Sequence, residues 1–187
     1  MKMPGKLYDS PSPKILIAGL GNLLLTDDGI GIHAIRLLSH LTSEQVIVAD
    51  IGTSILNSTY LIEWADKILA IDSIQYGHPG GTIYCMQLSD PAQREQLTMH
   101  DLKLWEALWM IPREKHPSEI VLLGIEPLDI TYGLELSEGV SDQLPKLIQM
   151  VESIIKTWQQ GIDILNGDEL LNADALGVIT AKKGIEQ

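Results

Sequence analysis

Three side chains have the types and spacing for chemistry: Asp28, Asp72 and His100. Asp28 closes the run Gly19-Leu20-Gly21-Asn22-Leu23-Leu24-Leu25-Thr26-Asp27-Asp28-Gly29, a glycine turn followed by paired acids just before a helical pattern. Asp72 ends the apolar run Ile68-Leu69-Ala70-Ile71. His100 follows Thr98-Met99, and Asp101 stands three residues after Thr98, as in a capping box. Two oxygen donors and one nitrogen, with water completing the shell, suit a divalent metal such as zinc or nickel. A metal held in this way polarises a peptide carbonyl and lowers the pKa of a bound water.

Each residue also has a plainer reading. Asp27 or Asp28 can cap the helix that follows, because a carboxylate accepts the orphan N–H groups of a first turn. Asp72 can close an Asx-type turn. His100 can sit in a cap or on a surface. Asp50 ends a second apolar run in Asp50-Ile51-Gly52-Thr53 and either supports the site or fixes a loop. His78-Pro79-Gly80-Gly81 borders the cleft or is simply a tight turn. His33, His40 and His116 suit helix-surface or loop roles, and Cys85, the only cysteine, suits a small core position.

The elements that would carry these groups follow from periodicity. Strands are expected at Lys14–Leu20, Gln45–Asp50, Lys67–Asp72, Thr82–Leu88 and Glu119–Gly124. Helices are expected over about 29–42 (Ile32, Ile35, Leu38, Leu41), 54–65 (Leu56, Tyr60, Leu61, Trp64) and 100–111. A last helix carries Leu144, Leu147, Ile148, Val151, Ile154, Ile155 and Trp158 on one face, with Pro145 near its first turn. Strand–helix alternation implies parallel pairing with right-handed crossovers. The link Ser73–Gly81 is too short for such a crossover, so the fourth strand is expected antiparallel. The fold class is therefore α/β, with three layers. A twisted, mostly parallel five-stranded sheet with one antiparallel strand has helices on both faces. Residues 1–13 read as a loose lead-in, 14–160 as a single domain, and 161–187 as a tail without an assigned role. In this topology Asp28, Asp72 and the start of the 100–111 helix share the sheet's C-terminal edge, where open α/β sheets place ligands.

Composition bounds the function. The chain has 187 residues, 45% of them hydrophobic, and a net charge of −12. No block of Lys and Arg is present to neutralise phosphates, so a nucleic-acid partner is not expected. No apolar run approaches the roughly 18 residues needed to span a bilayer, and the first residues lack a secretory pattern. A cytoplasmic protein without membrane contact is expected. The loop after the first strand lacks the third glycine of GxGxxG, whose place Leu24 takes, which counts against a Rossmann-like nucleotide enzyme.

The order and spacing of several motifs resemble the nickel–iron hydrogenase maturation endopeptidases. These are Gly19-Leu20-Gly21-Asn22 through Thr26-Asp27-Asp28-Gly29-Ile30-Gly31, Asp50-Ile51-Gly52-Thr53, Leu69-Ala70-Ile71-Asp72, Pro79-Gly80-Gly81-Thr82, the His100 segment and Leu123-Gly124-Ile125-Glu126-Pro127. The resemblance covers about residues 14–160. It implies an endopeptidase that removes a C-terminal extension from the hydrogenase large subunit after its metal centre is assembled. Asp28, Asp72 and His100 match the family's metal ligands, and the resemblance gives them the catalytic role. Asp50 matches a frequent acidic position, and Ile51 departs from the common Gly-Gly-Thr form that follows it. The implied partner is the large-subunit precursor, with nickel supplied bound to that substrate. Either the metal activates water, or a carboxylate acts as general base while the metal recognises the substrate. A chaperone that holds the tail without cutting it is the non-enzymatic alternative. A monomer that meets its substrate transiently is the expected state.

Overall fold

The run Ile15–Leu20 forms strand β1 and is buried on both faces. Ile15 and Ile17 join one apolar cluster, while Leu16, Ala18 and Leu20 join the other. This is the signature of a central strand covered by helices on each side. The computed structural model describes residues 12–87, 110–164 and 179–181. Strands β2 (Val46–Gly52), β3 (Lys67–Ser73), β4 (Ile83–Gln87), β5 (Glu119–Ile125) and β6 (Ile179–Ala181) complete a sheet of order β2-β1-β3-β5-β4-β6. Pairs β1–β2, β1–β3 and β3–β5 are parallel, and β4 runs antiparallel to β5 as its short link requires. The short strand β6, from the segment expected to be a tail, pairs parallel with β4 and extends the five expected strands to six.

Helix α1 (Ile30–Leu38) continues into a 3₁₀ turn at Ser39–Leu41 and buries Ile32, Ile35 and Leu38, as its periodicity requires. Helix α2 (Thr59–Trp64) is shorter than expected, because Ile55–Ser58 is a 3₁₀ turn. With three residues per turn instead of 3.6, that start changes the phase of the apolar face. Ile55 and Ile62 point into the core, Leu61 and Trp64 pack at its margin, and Leu56 and Tyr60 are left exposed. A single-turn helix α3 (Glu138–Ser141) precedes helix α4 (Leu144–Gln159), which has proline in its first turn. Helices α1 and α4 pack on one sheet face, with Ala34, Leu38, Leu147, Val151 and Trp158 in its cluster. The Ile55–Trp64 segment and Ile111 cover the other. The helix expected over 100–111 falls almost wholly outside the described residues.

Because β2 and β3 flank β1, the chain reverses its winding direction between β1 and β3. In such sheets the crevice beyond the strand ends at this switch point is the natural binding place. Gly31, in the first turn of α1, lets the helix settle there. A Cβ on Gly31 would lie 2.3 Å from the Leu20 carbonyl oxygen and 2.4 Å from that of Ile71. The turn before α1 is thereby drawn onto the ends of β1 and β3.

Candidate active site

The chain leaves β1 through Gly21, whose φ of +102 lies in the region that favours glycine. A Cβ on Gly21 would stand 1.9 Å from the Asp28 carbonyl oxygen and 3.3 Å from Asp72 Oδ1. Gly21 therefore lies between the two acids, and only a residue without a side chain lets them approach. The chain then folds back through a 3₁₀ turn at Thr26–Gly29. Asn22 N–H donates to Asp28 Oδ2 at 2.9 Å and to the Asp28 carbonyl at 3.1 Å. An amide that a dinucleotide fold would turn toward phosphate is thus spent on the acid. Neither Asp27 nor Asp28 caps α1 with its side chain.

Ser73, the last residue of β3, joins the acids. Its Oγ–H donates to Asp28 Oδ1 at 2.8 Å, and its N–H donates to Asp72 Oδ1 at 2.8 Å. Asp28, Asp72 and Ser73 are all buried. The two expected acids therefore meet, 44 positions apart in sequence, through one serine. A hydroxyl directly after the strand-ending acid was the available signal for Ser73. Asp50 lies on the same sheet edge and is exposed. A bulge pairs Gly19 with Asp50 and Leu20 with Gly52, which turns Ile51 into the core. Gly52 then takes φ +54 and accepts from Gly21 N–H at 3.3 Å. His100 lies outside the described residues, and among the described residues no group of three or more His, Cys, Asp or Glu could hold a metal.

Asp27 has a separate task. It is fully buried and accepts four hydrogen bonds from the segment after β5. Its Oδ2 accepts from Leu128 N–H, Asp129 N–H and Ser137 Oγ–H, and its Oδ1 from Ser137 N–H. Thr26 adds to this clasp, donating through Oγ1–H to the Asp129 carbonyl at 2.7 Å. We expect Asp27→Ala, which orphans these donors, to cost about 2–4 kcal/mol in urea melts. A loss below about 1 kcal/mol would show that water replaces the carboxylate.

The third structural element of this edge is Glu126, just beyond β5. It accepts from Tyr76 N–H at 2.9 Å, Gly77 N–H at 3.0 Å and the Tyr84 hydroxyl. Burial alone would raise its carboxyl; these donors and the His78 amide outweigh it and hold the group below its usual range. Burial and the same carboxylate push Tyr84 well above an ordinary phenol. His78 Nδ1 lies 3.0 Å from the Tyr84 hydroxyl, and Thr82 N–H donates to the Pro79 carbonyl at 3.1 Å, so Pro79-Gly80-Gly81-Thr82 is a tight turn, with Gly81 N–H donating to the Glu126 carbonyl. His33 and His116 rest their rings on the carbonyls of Leu134 and Ile111, and His40 on that of Leu37. Cys85 is buried, its thiol pushed up to about 12 by burial and by Glu119, and is a core residue without nucleophilic character at neutral pH.

Residues 32–154 match the family model described as hydrogenase maturation protease. The chain belongs to this family. It is accordingly a hydrolase, and the matched span includes Asp72 and the His100 segment, with the Asp28 turn just ahead of it. A hydrogenase expression/formation protein, HupD from Rhizobium leguminosarum bv. viciae, is 27% identical over 165 residues, spanning 84% of this chain and 82% of that protein. Among solved structures, a hydrogenase 2 maturation peptidase from a thaumarchaeon is 29% identical with a TM-score of 0.60, over 76% of this chain and 97% of that one. The hydrogenase-maturating endopeptidase HybD from E. coli shares the fold, with a TM-score of 0.69 at 22% identity over 77% of this chain and 93% of that one. Like the family's members, this maturation protease sets its mostly parallel sheet between helices. No helix among the described residues is long and apolar enough to cross a membrane.

Proposed function

We propose that this protease removes the C-terminal extension of a nickel–iron hydrogenase large subunit, and that Asp28 and Asp72 carry the reaction. The reading rests chiefly on Ser73, which ties both carboxylates together at the switch point of the sheet. Two carboxylates alone suit a hard divalent ion, and an imidazole beside them is what favours a borderline ion such as nickel. In this reading the nickel arrives as part of the substrate, and His100, on the family resemblance of its segment, adds a nitrogen donor. Docking there aligns one peptide bond and supplies specificity without a large side-chain pocket. One carboxylate then accepts the proton of the attacking water, so that hydroxide adds to the scissile carbonyl and the amine departs with a proton. The Ser73 and Asn22 donors hold Asp28 in a single orientation while this happens. The protein acts in the cytoplasm as a monomer that meets its precursor transiently.

Mass spectrometry of a large-subunit precursor tests this directly. Nickel-loaded precursor is expected to lose its C-terminal peptide on incubation with the protein, while nickel-free precursor keeps its full mass. A precursor bound but never shortened would mean a holding chaperone, and equal cutting of both forms would remove nickel from the recognition step.

A further inference from the structure

The segment after Glu126 alternates apolar and polar residues: Leu128, Ile130, Tyr132 and Leu134 are interleaved with Asp129, Thr131 and Gly133. The apolar set faces solvent. Tyr132 is 92% exposed, Leu128 and Leu134 56%, and Ile130 38%; Leu24, on the loop after β1, is 59% exposed. Ordinary loops that expose large apolar side chains do so singly and on mobile backbone. Here the backbone is pinned. Leu128 and Asp129 N–H donate to Asp27, Thr131 N–H to Thr26 Oγ1 and Gly133 N–H to the Leu24 carbonyl. Leu25 and Gly133 also form an isolated β-bridge. At the other end, Leu128 packs over Gly80 and Gly139, where any Cβ would lie within 3.0 Å of its side chain. Several exposed apolar side chains gathered on one hydrogen-bonded backbone mark an interaction site, because little ordering entropy is lost on binding.

Two observations name the occupant. The patch hangs from Thr26 and Asp27, the residues directly before Asp28, so whatever covers it is tied to the turn that carries this acid. The stretch 127–144 contains Asp129, Glu135, Glu138 and Asp142 and no Lys or Arg, so its field favours positive charge. We propose that Leu24, Leu128, Ile130, Tyr132 and Leu134 dock an apolar, positively charged segment of the large-subunit precursor next to its cleavage point. This inference rests on the precursor being the substrate.

The test measures cleavage of a nickel-loaded large-subunit precursor as a function of precursor concentration. Tyr132→Ser and the double variant Tyr132→Ser/Leu134→Ser are compared with Leu37→Ser and Leu56→Ser, which remove exposed apolar side chains elsewhere. The double variant is expected to raise KM on the order of ten-fold, as loss of clustered interface anchors does. The two controls should stay within about two-fold, and raising the salt concentration should increase the wild-type KM. Tyr132→Ser alone keeps the comparison valid if the double variant melts early. A KM within about two-fold of wild type in both patch variants, with cleavage intact, overturns the docking surface and leaves the proteolytic reading standing. A wild-type dimer in sedimentation velocity that the double variant dissolves overturns it in favour of a second copy of this chain. If the wild-type protein cleaves no nickel-loaded precursor, the proteolytic reading falls and this inference falls with it.

Discussion

Asp72→Asn is expected to lower the rate of precursor cleavage by about 10²–10⁴-fold, the usual contribution of a positioned acid or base. The substitution keeps the size of the side chain and leaves an amide oxygen for the Ser73 N–H, which now donates to Asp72 Oδ1 at 2.8 Å. What it removes is negative charge and basicity, so the fold should survive while the chemistry does not. The melting temperature and the rate, measured on one preparation, separate these effects. Cleavage at the wild-type rate by a folded Asp72→Asn protein would take this carboxylate out of the reaction. Ser73→Ala makes a graded comparison, because it frees Asp28 Oδ1 from its hydroxyl partner and retains both charges.

The largest loss of stability is expected at the opposite end of the sheet. Lys67 and Glu119 open β3 and β5 side by side in the parallel register. Lys67 Nζ donates to Glu119 Oε2 at 2.8 Å, and the side chains are 6% and 0% exposed. Trp158 Nε1–H donates to the same oxygen at 2.7 Å, and Lys67 also reaches the half-exposed Asp163. Glu119 Oε1 has no hydrogen-bond partner among the described residues. Among the described residues, Lys67→Met leaves the buried glutamate with the indole as its only partner, and should cost about 3–5 kcal/mol in urea denaturation. Lys67→Met/Glu119→Gln should recover part of that loss, since it removes the stranded charge. Below the melting transition both variants should cleave precursor within about two-fold of wild type, because the acids lie at the other end of the same strands. A cost under about 1 kcal/mol would mean that water reaches the pair.

Apolar runs bounded by glycine and acid were enough to place β1 to β5. The nine-residue link Ser73–Gly81 was enough to reverse β4. The same strand-end logic brought Asp28 and Asp72 to one crevice, because side chains just past parallel strands share an edge whatever the loops do. Several features were not legible, for physical reasons. β6 has three residues, too few for any period to show. Apolar spacing alone puts Leu56 and Tyr60 on the buried face of α2, because it cannot distinguish a 3₁₀ start from an α-helical one. Asp27 and Asp28 are the same residue type in neighbouring positions, and their different work depends on partners elsewhere: Ser73 for one, and residues 128–137 for the other. Nothing in the local sequence couples Lys67 to Glu119; only the parallel register sets them beside each other.

The clasp around Asp27 also sets an order of events during synthesis. Its donors lie 101 to 110 positions downstream. The turn that carries Asp28 gains its full set of hydrogen bonds only after the ribosome has released that distant stretch. A nascent chain can lay down its first three strands and still lack the donors that fix this turn, so the turn is completed only when most of the chain has been made.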